Sequence, residues 1–214
     1  MDEAAAKAWL ADEFNVSRET FQRIEAFLAL LRVENARQNL VSQSSLDHFW
    51  SRHVADSAQL LRHGHDSAGD WADLGTGAGF PGLIVGLLRS GTIALIEQRR
   101  LRVEFLHRAA ELLGISARTR IVAANVRQLP PADFACISAR AFAPLERLFA
   151  SAEHLAAPNA KWILPKGRNA KSELEAARAS WQGEFRLEPS VTDPDAFVIV
   201  VEQLRRRPRG KRKR

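Results

Sequence analysis

The spacing of apolar residues changes once along the chain, close to residue 70. Before that point apolar positions recur every three or four residues, which is the period of an amphipathic helix with one buried face. Ser17 is suited to cap such a helix, and a second run begins at Ser44 or Ser45. The pattern predicts an N-terminal helical extension over residues 1–68, with apolar stripes formed by Phe21, Ile24, Phe27, Leu28 and Leu31 and by Leu46, Trp50, Val54, Leu60 and Leu61.

From residue 69 onward, short apolar runs alternate with amphipathic segments. This alternation is typical of an α/β domain with a mainly parallel sheet, whose ligand binds at the carboxyl ends of the strands. We predict such a domain over residues 69–204. Its strands are expected at 70–74, 92–97, 119–124, 133–139 and 161–165 and in FRLEPSV and AFVIVVEQL, and its helices near 81–89, 98–113, 144–156 and 169–181.

Positive charge is concentrated at the C-terminus. The chain has 31 Lys and Arg against 25 Asp and Glu, and eight of the 31 lie in residues 205–214. Without those eight, 23 basic residues remain against 25 acidic ones. We predict a flexible basic tail over residues 205–214, which either binds polyanions such as RNA or only keeps the protein in solution.

Cysteine count and hydropathy narrow the class of protein. Cys136 is the single cysteine, so no intramolecular disulfide or cysteine zinc cluster is possible, and its apolar neighbours indicate a core residue. His63 and His65 lack a third ligand at a recognisable spacing, so no metal site is predicted. Neither a signal peptide nor an apolar stretch of membrane-spanning length is present. We therefore expect a cytoplasmic protein with no membrane partner.

The segment WADLGTGAGFPG predicts a nucleotide-containing ligand after the first strand, because its glycines permit left-handed backbone conformations and close approach of a ligand. Gly77, Gly79 and Gly82 satisfy the dinucleotide fingerprint. Glu97, at the end of the second strand, is placed to bind the ribose hydroxyls of a dinucleotide or of S-adenosylmethionine. Asp73 would repel a pyrophosphate but suits a cationic ligand, which favours S-adenosylmethionine with its sulfonium and amino groups.

Five segments occur along the chain in a characteristic order: RQNLVS (37–42), SRHVADS (51–57), GTGAGFPG (75–82), SARAFAPL (138–145) and LPKG (164–167). Together they resemble the bacterial 16S rRNA guanine-N7 methyltransferases, also called the glucose-inhibited division protein B family. The glycine loop alone resembles motif I of class I methyltransferases. The resemblance implies a Rossmann-like fold with a mostly parallel seven-stranded sheet and helices on both faces. It also implies S-adenosylmethionine as cofactor and methylation of guanine N7 in 16S rRNA of the small ribosomal subunit.

The resemblance assigns residues to the cofactor. It implies that Gly75 and Phe80 contact the cofactor, that Val126 and Arg127 lie beside the adenine, and that Arg140 lies at the mouth of the active site. The family usually has an acidic residue where this chain has Arg127, which leaves a backbone contact to the adenine at that position. Together with the glycine loop and its carboxylates, the predicted cofactor-binding set is Asp73, Gly75, Gly77, Gly79, Phe80, Glu97, Val126, Arg127 and Arg140.

The chemistry implied by the resemblance requires positioning rather than a base. Guanine N7 has an in-plane lone pair and no proton, so it can attack the methyl group directly. The predicted catalytic set is Arg140, Lys166 and His53. Arg140 and Lys166 are expected to bind the RNA backbone or guanine O6, with a surface ion pair and a solvated lysine as the alternatives. His53 either lines the pocket or is a core histidine partnered by Asp56.

Two other functions remain compatible with the sequence. One is a methyltransferase for another RNA or for a small molecule, and the other is a non-catalytic RNA-binding regulator. For the methyltransferase and for both alternatives we expect a monomer.

Overall fold

The computed structural model describes residues 1–64 and 69–208, and its first third is helical as predicted. Ser17 Oγ accepts a hydrogen bond from the backbone N–H of Thr20 at 3.1 Å, which confirms the predicted cap. Asp2 Oδ1 caps the preceding helix in the same way, through Ala5. The segments are α1 (Glu3–Phe14), α2 (Arg18–Gln38), α3 (Gln43–Leu46), a π-helix (Trp50–Ala55), α4 (Asp56–Ala58) and α5 (Leu61–Gly64).

The second helical run of the sequence is not one continuous helix. Helix α3 begins at Gln43, earlier than predicted, because Ser42 Oγ accepts the backbone N–H of Ser45 at 3.2 Å. The π-helix that follows carries His53. Such helices are rare and are often found at functional sites. His65 of the predicted His-x-His pair lies outside the described residues.

The rest of the described chain forms one seven-stranded sheet and the helices that connect its strands. Its strands are β1 (Trp71–Leu74), β2 (Ile93–Glu97), β3 (Thr119–Ala123), β4 (Phe134–Ser138), β5 (Ala156–Lys166), β6 (Trp181–Pro189) and β7 (Phe197–Arg206), and its helices are α6 (Gly82–Leu88), α7 (Arg100–Leu112), α8 (Leu145–Ala152) and α9 (Ala170–Arg178). The strand order is β3-β2-β1-β4-β5-β7-β6. Strands β1 to β5 pair in parallel, and β7 is antiparallel to both of its neighbours. The predicted Rossmann-like class is confirmed.

Alternate residues of the buried strands face two separate cores. In β2, Ile93 and Leu95 join a core shared with α1, α2, α6 and α7, whereas Ala94 and Ile96 join a core shared with α8. The N-terminal helices therefore form one of the two layers that cover the sheet. This packing brings the π-helix next to the carboxyl ends of the central strands, where the predicted site residues lie.

The sheet extends further toward the C-terminus than predicted. Strand β7 continues to Arg206, which pairs with Trp181 across the strands and donates from Nε to Glu153 Oε1 at 2.8 Å. The backbone N–H of Arg207 donates to Ser180 O at 2.9 Å. The predicted domain end at residue 204 and tail start at residue 205 are therefore too early. Residues 209–214 of the predicted tail lie outside the described part of the chain.

Candidate active site

The loop after β1 follows a path that requires glycine. Gly75, Gly77 and Gly79 have φ angles of +63°, +58° and +92°, in the left-handed region that glycine adopts without strain. The backbone N–H of Gly75 donates to Ile96 O at 2.8 Å and so ties the loop to the end of β2. A Cβ atom at Gly75 would lie 2.6 Å from the ring of Phe142. The absence of a side chain at Gly75 therefore lets the loop that follows β4 lie directly over the glycine loop.

Asp73 has a different role from the one predicted. Its side chain is wholly buried, with Oδ1 accepting a hydrogen bond from Ser138 Oγ at 2.7 Å and Oδ2 accepting from Thr76 Oγ1 and, at 3.0 Å, from Gly82 N. Burial raises the pKa of Asp73 to about 6, although the hydrogen bonds oppose that shift. The predicted direct contact with a cationic ligand is thus corrected to an indirect role. Asp73 fixes the glycine loop and the start of α6.

A cavity of about 300 Å³ opens at the carboxyl ends of β1 and β2, and we call it the Glu97 cavity. Glu97 Oε2 accepts the backbone N–H of Gly77 at 3.1 Å, and its Oε1 accepts that of Arg99 at 2.9 Å. Each carboxylate oxygen has two lone pairs, so Glu97 can still accept hydrogen bonds from hydroxyl groups. The residues around the cavity that bear on function are Gly75, Glu97, Asn125, Val126, Ala141 and Phe142.

Six of the nine predicted cofactor residues do not line the Glu97 cavity: Asp73, Gly77, Gly79, Phe80, Arg127 and Arg140. A Cβ atom added at Gly79 would point away from the cavity, into the core between α6 and α7. Phe80 is buried elsewhere, with its ring centroid 4.6 Å from that of His53. Arg127 is turned away, because its Nε donates to Ser151 Oγ at 3.0 Å. Gly75, Glu97 and Val126 are the predicted residues that this cavity brings together.

Arg140 is fixed in the wall of a second cavity of about 600 Å³, which we call the Arg140 cavity. Its Nη1 donates to Arg52 O at 3.0 Å and to Asp56 Oδ2 at 3.2 Å, and its Nη2 lies 2.9 Å from His53 Nδ1. The ion pair between Arg140 and Asp56 lies in the wall of this cavity, so it is not the isolated surface ion pair that was the alternative for Arg140. The residues of the cavity that bear on function are Arg52, His53, Asp56, Arg140, Ala141, Phe142 and Lys166.

His53 is a neutral acceptor for Arg140. A guanidinium group only donates, so Nδ1 accepts and the ring proton lies on Nε2, which has no hydrogen-bond partner in the described chain. Burial lowers the pKa of His53 to about 3, and the charges of Arg140 and Arg52 add to the shift. The predicted pairing of His53 with Asp56 is absent, because Asp56 pairs with Arg140 instead. His53 therefore lines the pocket while its ring is largely buried.

Lys166 links three elements at the far side of the Arg140 cavity. Its Nζ donates to Ala143 O at 2.9 Å and lies 2.8 Å from Glu173 Oε2. The same carboxylate oxygen accepts the backbone N–H of Leu145 at 3.3 Å. Lys166 is thus not a solvated lysine. It holds the loop that follows β4 against β5 and α9.

Ala141 and Phe142 line both cavities and form the wall between them. Ala141 has a left-handed φ of +52°, and the Phe142 ring lies over Gly75. Reasoning from residue types missed both, because neither side chain can carry acid–base or ligand chemistry. Their place inside the segment at 138–145 was the available signal. Because the cavities share this wall, ligands bound in the two cavities would be neighbours.

Metal and membrane features are absent from residues 1–64 and 69–208. In these ranges no group of three or more His, Cys, Asp or Glu side chains is arranged to hold a metal ion. No helix in the same ranges is both long enough and apolar enough to cross a membrane.

Comparison with known proteins assigns the chain to a family. The model of the family described as "GidB: rRNA small subunit methyltransferase G" matches residues 20–193. The chain belongs to this family. A ribosomal RNA small subunit methyltransferase G of Zymomonas mobilis is 42% identical, over 95% of each chain. Another, of Rhizorhabdus wittichii, is 45% identical over 99% of this chain and 96% of that protein.

Membership in the rRNA small subunit methyltransferase G family confirms the predicted resemblance and makes the protein a methyltransferase. The predicted cofactor of this methyltransferase is S-adenosylmethionine. The Glu97 cavity fits this cofactor, because Glu97 offers acceptors for ribose hydroxyls and Val126 offers an apolar surface for an adenine. The residue-by-residue contacts of the cofactor stay predictions.

Solved structures share the fold at low sequence identity. A predicted O-methyltransferase from Agrobacterium tumefaciens has a TM-score of 0.56 at 20% identity, covering 72% of this chain and 82% of its own. A ribosomal protein L11 methylase from Lactobacillus delbrueckii subsp. bulgaricus has a TM-score of 0.57 at 16% identity, covering 73% and 79%. At these identities the likeness bears on the fold alone.

Proposed function

We propose that this methyltransferase methylates N7 of one guanine in 16S rRNA of the small ribosomal subunit, with the cofactor in the Glu97 cavity and the guanine in the Arg140 cavity. The observation that carries the proposal is the wall shared by the two cavities at Ala141 and Phe142. A methyl group passing along that wall travels directly from one ligand to the other. The names of the relatives supply the rRNA substrate class.

No general base is required, and the side chains at the site agree with that. His53 cannot accept a proton readily near neutral pH, because its pKa is about 3 and its Nδ1 already accepts from Arg140. Asp73 is buried beneath the glycine loop, and Asp56 is paired with Arg140. When bound, S-adenosylmethionine supplies an electrophilic methyl group, and the guanine N7 lone pair needs no deprotonation. The protein therefore contributes mainly orientation.

Arg140 is the residue that we assign to the guanine. A guanidinium group has five N–H donors, and the contacts of Arg140 to Arg52, Asp56 and His53 use three of them. The remaining donors can bind guanine O6 or a neighbouring phosphate. His53 and Asp56 hold the guanidinium in place for that contact. Lys166 supports the wall from behind through Ala143.

One chain is sufficient for this reaction, because residues of the same chain line both cavities. We accordingly infer a monomer that acts in the cytoplasm, where small ribosomal subunits are available. The substrate is the rRNA within a subunit or a partly assembled particle.

The test is methyl transfer from labelled S-adenosylmethionine to under-methylated small subunits, followed by nucleoside analysis of the 16S rRNA. The expected result is 7-methylguanosine at a single position. Arg140→Ala should lower the rate by about a hundredfold while cofactor affinity stays within about threefold, because positioning of the guanine is lost. Arg147→Ala is the matched control, since Arg147 is an exposed arginine on α8 whose side chain has no partner in the described chain.

Three results would count against the proposal. A methylated nucleoside other than 7-methylguanosine would overturn the choice of atom. Binding of the cofactor without transfer to any rRNA would favour a different methyl acceptor or a regulator that binds RNA without turnover. Equal losses of cofactor affinity and of rate in Arg140→Ala would remove Arg140 from the guanine site.

A further inference from the structure

A third concave surface lies between the end of α2 and the start of α3. It encloses about 560 Å³, and we call it the α2–α3 cleft. None of its residues lines the Glu97 or Arg140 cavity. Its functional groups come from Arg32, Asn35, Asn39, Leu40, Val41 and Gln43.

Polar side chains in the cleft have unused hydrogen-bonding capacity. Arg32 is exposed and forms no ion pair, hydrogen bond or ring contact within residues 1–64 and 69–208. Two other arginines of the same helix are paired, Arg23 with Glu19 at 2.6 Å and Arg37 with Glu34 at 3.4 Å. The side-chain amides of Asn39 and Gln43 likewise have no partner in those ranges. Three polar groups are thus available to a ligand.

The backbone of the cleft is already held in shape. Asn35 Oδ1 accepts the backbone N–H of Val41 at 2.9 Å, and the backbone N–H of Asn39 donates to Asn35 O at 3.0 Å. Asn39 has a left-handed φ of +48° at the end of α2. Leu40 and Val41 are half-buried and add apolar surface. A ligand would meet a preformed site, which lowers the entropy cost of binding.

The α2–α3 cleft is next to the proposed guanine site. Helix α3 is a single turn, and its Gln43 lines the cleft while its Ser45 lines the Arg140 cavity. These two residues are separated by roughly 3 Å along the helix axis. A ligand that occupies both cavities has to reach around one short helix, as a strand of linked nucleotides can.

We propose that the α2–α3 cleft binds a nucleotide adjacent to the methylated guanine in the RNA strand, an inference that rests on the proposed function. Arg32 contacts the phosphate, because a free guanidinium is the group best suited to it. Asn39 and Gln43 contact the base edge, since each amide both donates and accepts. Leu40 and Val41 contact the base face. An inorganic phosphate would leave both amides and the apolar surface unused.

The experiment measures the affinity of the full-length protein for under-methylated small subunits across a range of salt concentrations. Arg32→Ala should weaken binding about tenfold and reduce the slope of log affinity against log salt by about one, because one phosphate contact is lost. Asn39→Gly, which keeps the left-handed backbone, and Gln43→Ala should weaken binding several-fold without changing that slope. Affinity for S-adenosylmethionine should not change in any of the three.

Arg18→Ala is the matched control. Arg18 is another exposed arginine of α2 that has no partner among residues 1–64 and 69–208, but it lies 14 residues from Arg32, roughly 21 Å along the helix. Equal behaviour of the Arg18 and Arg32 variants would overturn the proposal, and so would unchanged affinity in both amide variants. If the wild type methylates 16S rRNA and no cleft variant differs from it, only this inference fails. If the wild type methylates no rRNA, the proposed function itself fails.

Discussion

Asp73 carries a carboxyl group in a position that water does not reach. Burial raises its pKa from 3.8 to about 6, so the folded protein binds a proton there more tightly than the unfolded chain does. The stabilising contribution of the protonated group is fully present below about pH 4. It is lost as the pH rises through 6, because the folded protein then has to hold a buried charge.

The variant Asp73→Asn tests this link between pH and stability. We expect the free energy of unfolding of the wild type to contain a component of about 3 kcal/mol that disappears between pH 4 and pH 7.5, at 1.36 kcal/mol per pKa unit. The asparagine variant should lack this component, although it should be less stable overall because its amide N–H₂ replaces an oxygen that accepts one or two of the three hydrogen bonds. Urea unfolding at several pH values measures both proteins. Parallel pH profiles would contradict the assignment.

Strand topology predicted the placement of part of the candidate site. Gly75, Glu97 and Arg140 lie at strand ends, and the carboxyl ends of parallel strands meet at one edge of a sheet. Asp73 and Arg127 face elsewhere because hydroxyl groups of other elements bind them, Ser138 on the paired strand β4 and Ser151 on α8. Sequence spacing gives the position of a residue on a strand. It does not give the tertiary neighbour that decides which way a polar side chain turns.

Among the elements, α1 and the π-helix are coupled through one carboxylate. Glu3 Oε2 accepts the backbone N–H of Trp50 at 2.9 Å, and Oε1 accepts Ser51 N at 2.9 Å and Ser51 Oγ at 2.8 Å. Glu3 thus satisfies donors at the start of the π-helix that carries His53. Lys7, on the same face of α1, lies 4.5 Å from the Trp50 ring and pairs with Glu25 at 3.0 Å. Helix α1 precedes the residues that the family model matches.

Glu3→Ala should lower the rate of methyl transfer about tenfold, because a π-helix without its cap no longer fixes His53 and, through it, Arg140. Lys7→Ala removes the contact of α1 with the Trp50 ring but leaves the hydrogen bonds of Glu3 in place. The rate of this variant should therefore stay within about twofold of the wild-type rate. The measurement combines steady-state methyl transfer with thermal unfolding of both variants. Equal losses of rate in the two would mean that α1 contributes packing alone.

Most strands begin and end within two residues of the prediction, but β6 starts four residues early, at Trp181, and the largest difference is in β5. It starts at Ala156, five residues early, because pairing of Phe134 with Ala156 extends the strand through a segment that is not continuously apolar. Hydropathy detects side chains that are buried, and it does not detect main-chain pairing. The break between α3 and the π-helix escaped prediction for a related reason, since both segments keep a helical apolar stripe.

For the whole molecule, the net charge is determined by the last few residues. Residues 209–214 contain five of the 31 basic residues, and without them 26 basic residues stand against 25 acidic ones. Residues 1–208 are therefore nearly neutral. Their attraction to an RNA polyanion would depend on local groups such as Arg32 and Arg140 together with this segment.

Deletion of residues 209–214 separates the two interpretations of the basic segment. The cut has to follow Pro208, because Arg206 binds Glu153 and Arg207 binds the backbone of Ser180 and Trp181. If the five cations bind phosphates, the slope of log affinity against log salt should fall by up to roughly four, at 0.7 to 0.9 per phosphate. The maximal rate at saturating subunits and the melting temperature should not change, since the active site is intact. An unchanged salt slope would mean that the segment only aids solubility, and RNA recognition would then lie with the folded surface around α3.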